Sequence, residues 1–110
     1  MNIRFAAGAV RCRVTPKEFE SLQSGRAVTL EVLLPRKHAF RANIRPGAVG
    51  GWLLDSDPTG LWITIPRTEL VALAESLPSR DGLEHKFDLV DGGTVLVMFE
   101  VDVRRAVEGS

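Results

Sequence analysis

Several things that this chain of 110 residues lacks narrow what it can be. It holds one cysteine, Cys12, so no intrachain disulfide is on offer. A lone thiol fits a reducing compartment better than a secreted scaffold, and the expected location is the cytoplasm. Long apolar runs are missing: the longest clear one, Val95–Phe99, is five residues, against the roughly 20 of a membrane-spanning helix. Arg4 and Arg11 interrupt the amino-terminal stretch where a signal peptide needs unbroken apolar sequence. The two histidines, His38 and His85, have no Cys, Asp or His at ligand spacing. A zinc site needs three or four clustered ligands, so no metal and no cofactor is expected. No phosphate-cradling glycine loop, dinucleotide fingerprint or G-x-S-x-G elbow occurs. Net charge is also absent, with 14 basic residues against 14 acidic, and this makes nucleic acid an unlikely partner because such domains are strongly basic.

What is present is an ordinary globular composition, 45% hydrophobic and 25% charged, which excludes disordered, collagen-like and low-complexity classes. One domain covering residues 1–110 is expected, since a chain of this length buries roughly 65% of its unfolded surface without metal or disulfide support. The neutral total conceals a split. Residues 1–50 carry nine bases and three acids, a net +6, and residues 51–110 carry five bases and eleven acids, a net −6.

Alternation of apolar and polar residues dominates, so strands carry most of the expected fold. Val10, Cys12 and Val14 alternate with Arg11 and Arg13; Val28, Leu30, Val32 and Leu34 with Thr29 and Glu31; Phe40, Ala42 and Ile44 with Arg41, Asn43 and Arg45. Leu61, Ile63 and Ile65 follow, then His85, Phe87 and Leu89, then Val95 to Val103. Half-polar strands belong to antiparallel or mixed sheets with one wet face.

Two short helices break the series. T-P-K-E sets Thr15 at an N-cap, Pro16 at the first helical position and Glu18 at the third, a capping box, and Gly25 stops the helix. The second, roughly Pro66 to Ser76, aligns Leu70, Leu73 and Leu77, with Pro78 ending it. Asp91-Gly92-Gly93 reads as a hairpin turn. E-F-E-S-L (Glu18–Leu22) and E-L-V-A-L (Glu69–Leu73) match at an offset of 51. The fold expected is therefore α+β: a largely antiparallel sheet or small open barrel with two short helices, divisible into two pseudo-twofold strand–helix–strand–strand halves.

Few residues combine into chemistry. L-L-D-S-D-P-T-G (Leu53–Gly60) fits the D-x-D-x-T string of haloacid-dehalogenase-like phosphotransferases. That chemistry needs a parallel α/β sheet and a further lysine and acidic pair, so a surface turn is the better reading of Asp55 and Asp57. Cys12, on the apolar face of its strand, reads as a packed thiol, and His85 as a partly buried structural histidine. Trp52 and Trp62 flank the Asp55–Asp57 loop and read as packing residues rather than a binding platform. Arg36, Lys37, Arg41 and Arg45 with Phe40 form a basic stripe whose single aromatic alternates inward. Arg4, Arg11 and Arg13 are the candidate anion-binding residues, because Arg11 and Arg13 project from one strand face and offer a double fork to phosphate or carboxylate. Glu100 and Asp102 share that spacing, so an ionic ladder between the two strands is the competing arrangement.

The opening M-N-I-R-F-x-x-G-x-V-R-C-R-V-T resembles a family of small uncharacterised bacterial proteins that begin M-K-I-R-I and continue with a glycine, an R-x-R strand and a helix entered at Thr or Ser. The matching positions are Ile3, Arg4, Gly8, Arg11, Arg13 and Thr15, with Ile65-Pro66 agreeing as well, while Val101 and Val103 depart from the family's E-K-D-F ending. The resemblance implies a self-contained domain and carries no activity. With no convergent nucleophile, base and metal ligands, the expected function is a soluble, non-enzymatic binding or interaction module, with a homodimer among its arrangements. The alternatives are an anion-binding domain or enzyme using Arg4, Arg11 and Arg13, and nucleic-acid binding through the basic first half.

Overall fold

A computed structural model describes residues 1–48, 50–77 and 82–102. Strand β1 (Asn2–Ala6) and strand β2 (Ala9–Val14) form a hairpin, and helix α1 (Pro16–Gln23) follows. Strands β3 (Val28–Leu34) and β4 (His38–Gly47) form a second hairpin around a short 3-10 turn at Pro35–Lys37. Strands β5 (Leu53–Asp57) and β6 (Gly60–Pro66), helix α2 (Arg67–Ser76) and strands β7 (Leu83–Asp88) and β8 (Thr94–Val101) complete the described chain. Val103 and Pro78, expected in the last strand and at the end of the second helix, lie outside the described residues.

The fold is α+β, with the strands in two four-stranded sheets ordered β1-β2-β8-β7 and β3-β4-β6-β5 and not closed into a barrel. Each sheet is mostly antiparallel, with one parallel pair at its centre: β2 beside β8 in the first, β4 beside β6 in the second. Each half reads strand–strand–helix–strand–strand, one strand more than the alternation suggests. The added strands are β1 and β5, and β5 lies on the Leu53–Asp57 segment expected as a loop.

The halves repeat in register. Asn2↔Arg13 in the first hairpin becomes Leu53↔Thr64, a shift of 51 residues throughout β1 and β2. Val28↔Ile44 becomes Leu83↔Phe99, a shift of 55 throughout β3 and β4. The four-residue difference arises between the helix and the strand that follows it. Each half contributes one hairpin to each sheet, so both sheets are assembled from both halves.

The alternating apolar residues meet in one buried cluster drawn from both sheets and both helices. Phe99, Ile44, Ile63, Ile65 and Leu70 are its most enclosed large members, beside Leu22. Helix α1 is set by local chemistry. The Glu18 amide donates to Thr15 Oγ1 at 3.1 Å and the Thr15 amide to Glu18 Oε1 at 2.9 Å. Burial alone would raise the Glu18 carboxyl, but the Thr15 amide and the amino group of Met1, 2.9 Å away, hold it below its ordinary value. The helix ends where Gly25, at φ 91°, takes the left-handed conformation. The Gly25 amide then donates to the Leu22 carbonyl at 3.0 Å and the Arg26 amide to the Ser21 carbonyl at 2.9 Å. Phe19 and Leu22 are thereby turned into the core.

Candidate anion-binding surface

The outer face of the first sheet carries the arginines singled out in the sequence. Pairing of β1 with β2 sets Arg4 opposite Arg11 and Asn2 opposite Arg13. The parallel pairing of β2 with β8 then sets Arg11 beside Met98 and Arg13 beside Glu100. Arg13 is satisfied there: its Nε donates to Glu100 Oε1 at 2.9 Å, and its terminal nitrogen lies equally close. One rung of the ionic ladder therefore forms. Arg4 and Arg11 are exposed, and neither makes an ion pair among the described residues. A terminal nitrogen of Arg11 donates to Met98 Sδ at 3.9 Å. A shallow depression of about 340 Å³ beside the pair is lined by Arg4, Phe5, Ala6, Ala9, Arg11 and Met98.

The other candidates are placed elsewhere and do not converge. Asp55 and Asp57 belong to strand β5, where the Asp55 carboxylate accepts from the Ser56 amide at 2.8 Å. Asp57 accepts from the hydroxyl and the amide of Thr59, at 2.6 and 2.7 Å, which fixes the turn into β6. Those bonds hold the Asp57 carboxyl below its ordinary value, the wrong direction for a proton donor. Among the described residues no group of three or more His, Cys, Asp or Glu is arranged to hold a metal ion.

Of the basic stripe, Arg41 and Arg45 lie on β4 and are engaged, while Arg36 and Lys37 lie in the turn before it. Arg41 bridges Glu31 at 2.7 Å, and Arg45 Nε donates to Thr64 Oγ1 at 3.2 Å. Phe40 faces inward and is half-buried. Trp52 is buried, donates its indole N–H to Glu69 of α2 and stacks on His85, with ring centroids 5.5 Å apart. His85 is exposed rather than partly buried, because β7 is an edge strand; its imidazole stacks on Trp52 and meets Phe87 in a T-shaped contact. Trp62 lies on the outer face of the second sheet, half-buried, opposite Asp55.

Cys12 is enclosed in the core, and burial pushes its thiol up to about 12. Only the thiolate reacts readily, so the folded protein should consume no Ellman's reagent at pH 8, and one equivalent once unfolded in guanidinium. Rapid labelling without denaturant would show that the site opens.

Sequence reasoning passed over two surface residues that the structure brings forward. Met98 flanks Arg11, and Leu33 lies fully out on β3 at 77% exposure. A signal for Leu33 was available, since Val32-Leu33-Leu34 puts an apolar residue where the alternation calls for a polar one. The chain matches no family model, no curated protein and no solved structure.

Proposed function

We propose that the protein is a non-enzymatic interaction module that pairs with a second copy of itself through the β3 edge. The observation that carries this reading is the contrast between two equivalent edge strands. Strand β7 guards its open edge with Glu84, His85, Lys86 and Asp88. On β3 the same register positions hold Thr29, Leu30, Glu31 and Leu33, and the only charge there, Glu31, is bound to Arg41. Val32, Leu33 and Leu34 are 45%, 77% and 46% exposed. Edge strands of soluble proteins usually carry charges that block pairing, and β3 does not. The fold has no need of an apolar residue at position 33, because its counterpart in the other half is Asp88.

A second copy suits this edge by symmetry and charge. Antiparallel pairing centred on Leu33 sets Val32 against Leu34 and brings each Glu31 toward the basic tip, Arg36 and Lys37, of the other copy. Both tip residues adopt left-handed φ, 64° and 62°, a conformation rarely used by long side chains. Such a contact is isologous and closes at two copies, joining two four-stranded sheets into one of eight.

Sedimentation at about 1–100 μM should give a dimer for the native chain and a monomer for Leu33→Lys, with unchanged circular dichroism. A native chain that stays monomeric across that range, or a Leu33→Lys variant that stays dimeric, would count against the proposal.

A further inference from the structure

Arg4 and Arg11 stand directly opposite each other on the first sheet, on a face that β3 does not share. Like charges in that relation destabilise a strand pair. Two carboxylates lie near the pair, and neither forms an ion pair with it among the described residues: Glu100 is held by Arg13, and Glu84 lies beyond Met98, two strands from Arg11. The fold does not demand the arrangement either. The counterparts of Arg4 and Arg11 in the second half are Asp55 and Trp62, a pair that carries no repulsion.

The geometry points to a binding site for a small phosphate monoester with an apolar body. Two guanidinium groups present forks that match phosphate oxygens bidentately. A phosphate monoester carries about −1.5 to −2 charges at neutral pH and balances both cations, where a carboxylate balances one. The depression next to the pair supplies the rest of the match. Ala6, Ala9 and Met98 line it, and a small apolar group resting there covers apolar surface while its phosphate meets Arg4 and Arg11. Arg13 and Glu100, paired with each other, border the site.

Titration of the full chain with phenyl phosphate, inorganic phosphate and benzoate, followed by amide and arginine Nε resonances, tests this assignment. Phenyl phosphate should saturate, shifting β1, the start of β2 and the side chains of Arg4 and Arg11, and should bind more tightly than phosphate or benzoate. Arg4→Gln and Arg11→Gln should each weaken it by about tenfold, while Arg41→Gln, a paired arginine on the other sheet, leaves it unchanged. Arg4→Gln should also raise Tm by about 1–3 °C as the repulsion is relieved, an effect opposite to that of losing a structural residue. The assignment is overturned if roughly 10 mM phenyl phosphate, enough to fill a millimolar site, gives no saturable shift. It is equally overturned if binding survives Arg4→Gln/Arg11→Gln, or if Arg41→Gln weakens it to the same degree.

Discussion

Residues 1–50 expressed alone should be unfolded as a monomer, and so should residues 51–110. Each fragment holds two hairpins, but they belong to different sheets, and the central parallel partners of β2 and β4 are β8 and β6 of the other fragment. An isolated two-stranded hairpin is at best marginally stable in water. The buried cluster is likewise shared, with Val10, Cys12, Val14 and Ile44 from one half set among Leu61, Ile63, Val97 and Phe99 from the other. Circular dichroism should show coil for each fragment and recovery of sheet signal on mixing. A fragment that folds as a monomer, checked by sedimentation, would mean that the sheets are not interdependent in this way.

Phe99→Ala is expected to be the most damaging single truncation. Phe99 is 1% exposed on central strand β8 and packs against Phe19 of α1 with ring centroids 6.2 Å apart, so it ties sheet to helix. Removing a buried Phe costs about 3–5 kcal/mol, a large share of the roughly 5–15 kcal/mol that stabilises a small domain. Phe5→Ala is the control, since Phe5 is 61% exposed and its loss should cost about 0.5 kcal/mol or less. Urea unfolding should show a large drop in midpoint for the first variant and almost none for the second. Comparable midpoints would mean that Phe99 is not part of a tightly packed core.

Which features were legible in the sequence follows from how local their causes are. Thr15, Pro16, Glu18 and Gly25 lie within one short segment, and the helix start and stop they indicate are found. Strands with strict alternation, such as Val10–Val14 and Leu61–Ile65, were equally readable. Strand β5 was not, because Asp55, Ser56 and Asp57 are poor strand formers and the segment is held extended by its ladder with β6. Strand β1 offers only Ile3 and Phe5 before its turn. Without β1 as a strand, the sequence could not place Arg4 opposite Arg11, and the candidate site stayed a list of three arginines. The division into two sheets was out of reach for the same reason, since no local pattern says that the hairpins of one half part company.

The two parallel pairs at the sheet centres also differ in how far apart in the chain their partners lie. In the second sheet Arg45 and Thr64, neighbours across β4 and β6, are 19 residues apart. In the first sheet Arg13 and Glu100, neighbours across β2 and β8, are 87 apart. Loop-closure entropy must be met before such a distant contact returns any stability. The second sheet, contained within residues 28–66, has all its strands available while the chain is still being synthesised. The first has to wait for β8. Hairpin β1–β2 is therefore made first and docked last, and until β8 arrives Val10, Cys12 and Val14 have no central strand to lie against.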